Sequence, residues 1–191
     1  MGRNVADLVR DAAAQRPDHV ALVDGDRSMT WGEVDREVNA LAGGLGTLGL
    51  PAHSRVALVL GNSIEFVVSC FAILRAGLVA VPLNPGGTVP ELTTQLTDAG
   101  AAVVFCDDEV TGSVSLAVPS ARLVVVGGSA SSEREVDYAQ LLERGAGRGV
   151  EVTTGGEDLA ILLFTSGTGG MPKGAMLSNR ALLANVDNVL A

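Results

Sequence analysis

The chain has 191 residues, 47% hydrophobic and 18% charged, with 13 Lys and Arg against 22 Asp and Glu, for a net charge of −9. A chain of this length buries roughly 70% of the surface its unfolded form exposes, so one sizeable core is expected rather than disorder. The acidic balance argues against general affinity for DNA, RNA or anionic membrane surfaces, which rests on clustered Lys and Arg. The longest apolar runs, Val56 to Leu60 and Phe66 to Leu74, fall short of the ~18 to 20 residues that span a bilayer, so no transmembrane segment is expected. Arg3, Asp7 and Arg10 interrupt any signal core, and Gly2 lacks the Ser or Thr at position 6 that myristoylation needs, so a cytoplasmic location is expected.

The apolar residues Val5, Leu8, Val9 and Ala12 recur at helical spacing and predict a first helix over about 5–15, ended by Arg16-Pro17. His19 to Val23 and Arg27 to Thr30 flank Asp24-Gly25-Asp26, which predicts a hairpin. Thr30 and Glu33 stand at the spacing of a capping box, so a helix follows to about Leu48. Arg55 to Leu60 carries no charge after its first residue, as expected of a strand covered on both faces. Asn62 or Ser63 caps a helix over about 64–76, and Leu78 to Leu83 is the next strand, which completes a βαβ unit.

Thr88 and Glu91 repeat the capping pattern ahead of a helix to about Asp98, followed by a strand over Ala101 to Cys106. Further strands are predicted over Arg122 to Val126 and Leu159 to Phe164, with a short helix from Asp137 to Arg144 between them. The strand over Leu159 to Phe164 is expected to be the last, with a helix starting near Ser178. The small, polar stretches Gly127 to Arg134 and Gly145 to Gly156 read as loops. Strands alternating with helices predict an α/β fold with a mainly parallel sheet flanked by helices.

Cys70 and Cys106 each sit in an apolar run and read as small core residues, because a nucleophilic thiol needs polar neighbours that lower its pKa. His19 and His53 have no companions at metal-ligand spacing, so no structural metal site is expected. Gly44-Leu45-Gly46-Thr47-Leu48-Gly49 matches a dinucleotide fingerprint by letter. That fingerprint must follow a strand and open a helix, whereas this cluster closes one and predicts close packing.

A second glycine cluster has the required setting. Thr165-Ser166-Gly167-Thr168-Gly169-Gly170-Met171-Pro172-Lys173-Gly174 follows an apolar strand. Glycines let backbone N–H groups approach an anion, the hydroxyls add donors, and Lys173 adds a mobile positive charge, so the cluster is a candidate phosphate loop. It is not a Walker loop: counted from Gly167, Pro172 and Gly174 stand where that pattern needs Gly and a magnesium-binding hydroxyl.

The run from Leu162 to Ser178 resembles the phosphate-loop signature of adenylate-forming acyl-CoA synthetases and of adenylation domains more widely. Thr30-Trp31-Gly32-Glu33, Asn62-Ser63-Ile64-Glu65-Phe66 and Ala76 to Pro85 are similar to further motifs of that family, in the expected order. The resemblance covers essentially the whole chain. It implies the incomplete N-terminal lobe of the adenylate-forming ligase fold, with 1–191 as a partial AMP-binding domain, the phosphate loop at 165–174 and the C-terminal lobe absent.

It also implies a two-step reaction. A carboxylate attacks the α-phosphate of Mg-ATP to give acyl-adenylate and pyrophosphate, and the acyl group then passes to coenzyme A. On this resemblance Thr165, Ser166, Gly167, Thr168, Gly169, Gly170 and Lys173 hold the β- and γ-phosphates, with ATP and a carboxylic acid as substrates. No catalytic residue and no magnesium ligand is assigned in this chain.

Gly169 stands where the family usually has a second Thr, which removes a hydroxyl and keeps the backbone donor, and Asn179 stands where the family often has His. The chain is less than half the family's usual length, so it is expected to act as a truncated part, alone incomplete, that self-associates or needs a complementary C-terminal chain. The helix that starts near Ser178 leans the reading towards a fatty acid–CoA ligase. The alternatives are a fragment of a peptide-synthetase adenylation domain or acyl-AMP ligase, and a non-catalytic interaction module or relic.

Overall fold

A computed structural model describes residues 3–150, 154–165 and 173–190. Helix α1 (Asp7–Gln15) leads into a hairpin of β1 (Val20–Asp24) and β2 (Arg27–Thr30), and the chain turns at Gly25, whose φ of 59° suits a residue without a side chain. Then come α2 (Trp31–Gly46), β3 (Arg55–Val59), α3 (Ile64–Arg75), β4 (Val79–Pro82), α4 (Val89–Ala99) and β5 (Val103–Asp107). A single 3-10 turn precedes α5 (Thr111–Ala117), followed by β6 (Arg122–Val126), β7 (Glu135–Asp137), α6 (Tyr138–Gly145), β8 (Leu159–Thr165), β9 (Lys173–Ser178) and α7 (Asn179–Leu190).

The capping signals work as the sequence predicts. The Thr30 and Thr88 hydroxyls accept from the amides of Glu33 and Glu91, and both carboxylates reach back to the cap amides at 2.8 Å. Ser63 caps α3 by accepting from the Phe66 amide at 3.1 Å. Each cap satisfies donors that a helix start leaves open, which fixes where α2, α3 and α4 begin.

The seven-stranded sheet has the order β7-β6-β5-β3-β4-β8-β9. Every neighbouring pair is parallel except β8 and β9. The parallel strands are covered on both faces, so their residues alternate between two cores rather than between core and water. Val56, Leu58, Val103 and Phe105 face one core with residues of α1, α2, α3 and α6. Ala57, Val59, Val104 and Cys106 face the other, with Leu92 and Leu96 of α4 and Val114 of α5.

Three elements differ from expectation. Leu159–Thr165 is not the last strand, because β9 follows it as an antiparallel edge. The three-residue β7 and the seven-residue α5 carry too little periodicity to stand out in the sequence.

The Gly44-to-Gly49 cluster closes α2, as expected, and its first glycine serves a helix contact. A Cβ at Gly44 would stand 2.1 Å from the Leu141 carbonyl oxygen, and one at Gly145 would stand 1.8 Å from that of Ala40. Gly44 and Gly145 therefore let α2 and α6 touch backbone to backbone. Arg75 is fully buried beside this layer, with Nη1 2.7 Å from Asp35 Oδ1 and Nη2 donating to the Ala6 carbonyl.

Candidate functional site

The candidate phosphate loop leaves the sheet at the carboxyl end of β8. That strand lies parallel beside β4, with Ala80 opposite Ile161, so its end shares an edge with the carboxyl ends of the other parallel strands. Crevices at such edges are where open α/β sheets bind ligands. From Thr165 the chain returns as β9, paired from Lys173 opposite Thr165 down to Ser178 opposite Leu159.

Thr165 and Lys173 thus form the last rung of the hairpin, and Thr165 Oγ1 donates to the Lys173 carbonyl at 3.4 Å. Of the sequence-predicted site residues, the structure brings these two together. Ser166, Gly167, Thr168, Gly169 and Gly170 lie outside the described residues. Lys173 is exposed and makes no ion pair among the described residues, so its ammonium is available to an anion held between the ends of the hairpin.

The far end of the hairpin is tied down by Asn179, a residue whose role sequence reasoning missed. Asn179 is buried at the start of α7. Its Oδ1 accepts from the Val5 amide at 3.0 Å, and its Nδ2 donates to the Gly155 carbonyl at 3.1 Å. Asn4, also buried, extends the network to the Leu74 carbonyl and the Thr154 hydroxyl. The only sequence signal was a polar residue at a helix start. Its partners lie 24 and 174 positions away.

Glu65, from the motif after β3, makes an architectural contact, and Asp107 makes another. Glu65 receives both Nη groups of Arg27 at 2.7 and 3.1 Å, which joins the β1–β2 hairpin to the first turn of α3. The guanidinium holds the Glu65 carboxyl below its ordinary range. Asp107 Oδ2 accepts from the Gly61 amide at 2.8 Å and links the ends of β3 and β5.

Burial pushes both thiols up, Cys70 to about 11 and Cys106 to about 11, so neither is a ready nucleophile at neutral pH. Among the described residues no group of three or more His, Cys, Asp or Glu side chains is placed to hold a metal ion.

Comparison with known proteins places this geometry in context. The family model described as "AMP-binding enzyme" matches residues 9–190. The 4-coumarate–CoA ligase 5 of Oryza sativa subsp. japonica is 36% identical over 183 residues, which cover 94% of this chain and 33% of that protein. The medium-chain fatty-acid–CoA ligase of Escherichia coli (strain K12) is 31% identical over 192 residues, covering 95% of this chain and 34% of the ligase. Among solved structures, the anthranilate CoA ligase AuaEII in complex with anthranoyl-AMP superposes with a TM-score of 0.85 and 27% identity, over 94% of this chain and 35% of that one. The chain thus spans about a third of the length of these relatives.

Proposed function

The chain belongs to the AMP-binding enzyme family, and from that premise we propose that it contributes the phosphate-binding part of an ATP-dependent carboxylic acid activation. In that reaction a carboxylate oxygen forms a bond to the α-phosphorus of ATP, the bond from that phosphorus to the bridging oxygen breaks, and pyrophosphate leaves. The acyl group then passes from the adenylate to the sulfur of coenzyme A, with AMP as leaving group. The reading favours a fatty acid or similar carboxylic acid as substrate and the cytoplasm as location.

The observation that carries this reading is the hairpin neck, where a strand at the carboxyl edge of the sheet ends in Thr165 opposite Lys173. We assign Thr165, Ser166, Gly167, Thr168, Gly169, Gly170 and Lys173 to the β- and γ-phosphates. The loop's contribution is electrostatic: donors and one ammonium stabilise the charge that builds on departing pyrophosphate, with no covalent role for the protein. Magnesium accompanies ATP as part of the substrate and is assigned no residue here.

The hairpin of β8 and the edge strand β9 exposes Leu163 and Met176. We therefore propose that the 191-residue chain self-associates or takes up a complementary chain through that edge.

Lys173→Ala tests the assignment. Loss of one charged hydrogen bond is expected to weaken pyrophosphate or ATP binding to the chain by ~1.5 to 3 kcal/mol in a calorimetric titration. Unchanged affinity would remove Lys173 from the site. Carboxylate-dependent ATP–pyrophosphate exchange, run against the same variant, separates binding from turnover: the 191-residue chain is expected to show none, and exchange above the variant would make it a working adenylating enzyme by itself.

A further inference from the structure

A cleft among the described residues lies apart from the hairpin neck, with neither Thr165 nor Lys173 in its lining. It is a groove of about 1060 Å³ between α1, α2, α6 and the turn that follows α6. A volume of this size accommodates a small organic ligand. Its lining includes Ala40, Leu142 and Val150, and the last two also pack against the larger core. The wall where α2 meets α6 is rigid, since these helices touch through Gly44 and Gly145.

Three guanidiniums from three different elements line the groove, Arg10 of α1, Arg36 of α2 and Arg148 after α6. Arg10 is already paired with Asp7 at 3.2 Å. Arg36 and Arg148 make no ion pair among the described residues, and Arg148 spends only its Nε, on the Arg144 carbonyl at 2.8 Å. The two carboxyls in the lining are Glu37 and Glu143. Glu37 is half-buried, and burial together with Glu65 and Glu33 pushes its pKa up, against a lowering by Arg36. Two arginines without an ion pair among the described residues thus line the groove together with apolar side chains, on a chain of net charge −9. Such fork-shaped donors match carboxylate and phosphate oxygens.

We propose that this groove binds an amphipathic anion, an apolar body carrying a carboxylate or phosphate head, at a site separate from the phosphate loop. Its α6 wall packs on β6 and β7, whereas the loop follows β8, and neither Thr165 nor Lys173 lines the groove. The head sits between Arg36 and Arg148, and the body lies along Ala40, Leu142 and Val150. Nothing in this assignment depends on the ligase reading.

The test is calorimetric titration of the 191-residue chain with octanoate and octyl phosphate, each below its micelle concentration, and with octanol and inorganic phosphate as controls. Saturable binding of one or both anions is expected, at least tenfold tighter than either control, and the tighter anion identifies the head. The Arg36→Gln/Arg148→Gln double variant is expected to weaken that binding at least tenfold, and Lys173→Ala to leave it unchanged. Amide shifts in a ¹H–¹⁵N spectrum of the unaltered chain are expected at Ala40, Gly147 and Gly149 and not at Thr165 or Lys173, so the proposal stands or falls even if the double variant misfolds. Absence of saturable binding, octanol or inorganic phosphate binding as tightly as the anions, undiminished affinity in a folded double variant, or shifts confined to the hairpin neck would each overturn it.

Discussion

The two ends of the seven-stranded sheet are built on opposite plans. At one end β7 has only three residues, two of them the acidic Glu135 and Asp137, and the chain turns directly into α6. That helix buries Leu141 completely and sets Tyr138 edge-on to Phe105, with ring centroids 6.3 Å apart. At the other end β9 runs for six residues, of which the first four are exposed and Lys173 alone is charged. Met176 is 69% exposed there and Leu163, on the neighbouring strand, 39%. Short, charged and covered edges are how sheets avoid pairing with other chains, and a long apolar one invites it. The first end is finished by its own helices, while the second presents the hairpin of the candidate phosphate loop with Leu163 and Met176 exposed.

The sharpest way to break this comparison is Gly145→Ala at the finished end. The new Cβ would meet the Ala40 carbonyl at 1.8 Å and the Gly44 amide nitrogen at 2.2 Å, both of them backbone atoms that cannot swing aside. Overpacking of this kind costs ~1 to 3 kcal/mol and occasionally more, and a backbone clash from both sides belongs at the upper limit. Urea unfolding is expected to show a stability lower by that amount, and an unchanged midpoint would mean that α2 and α6 are not locked together.

Asn179→Ala probes the opposite end at a buried anchor. Removal of the side chain leaves the buried Val5 amide and the half-buried Gly155 carbonyl without their side-chain partner. A buried group left unsatisfied costs ~1 to 3 kcal/mol. Asn179→Asp keeps the acceptor for Val5 and loses the donor to Gly155, and it is expected to fall between the two. A loss below about 0.5 kcal/mol in the Ala variant, the order of an ordinary surface change, would show that α7 and the hairpin are held elsewhere.

The same division explains what was legible in the sequence. The parallel region announces itself locally, because Thr30, Ser63 and Thr88 each mark a helix start and the uncharged runs from 55 and 78 need cover on both faces. Both glycine clusters were separable by context, one closing a helix and one following a strand. The strand β9 was hidden, since Gly174, Ala175 and Met176 have little strand preference of their own and are placed by pairing with β8. The helix α5 was hidden for a related reason: Thr111, Gly112, Ser113 and Val114 are poor helix formers, and the element is held by burial of Val114 and Ala117. Within the site, the loop's chemistry is a local pattern, whereas the work of Asn179 depends on residues brought together only by the fold.

A smaller effect separates local from long-range stabilisation within the parallel region. Thr88→Ala removes one cap and is expected to cost about 1 kcal/mol. The Thr88 amide and hydroxyl hold the Glu91 carboxyl below its ordinary value of 4.5, and Thr30 does the same for Glu33. A depressed folded pKa stabilises the protein at pH above the unfolded value, and that contribution disappears as pH falls through the folded one. The difference between the unaltered chain and Thr88→Ala should therefore be full at pH 7 and shrink below about pH 4, the ordinary carboxylate range. A difference that stays constant down to pH 2 would assign the cap's contribution to the hydroxyl alone.

The smallest expected effect on stability is the one most informative about association. Met176 pairs with Leu162 across the hairpin and is largely exposed, so Met176→Lys removes little buried surface and is expected to stay within ~0.5 kcal/mol of the unaltered chain. A charge on an edge strand nevertheless opposes strand-to-strand pairing. Sedimentation velocity of the 191-residue chain is expected to show associated species that shift towards monomer in Met176→Lys, while Gly145→Ala, kept folded at low temperature, shifts nothing towards monomer. If the unaltered chain sediments as a sharp monomer and unfolds cooperatively, the β9 edge needs no partner, and the contrast between the two ends concerns shape alone. If association persists in Met176→Lys, it runs through another surface, and Val20 and Val23 of the β1–β2 hairpin, 60% and 72% exposed, are the next apolar residues to charge.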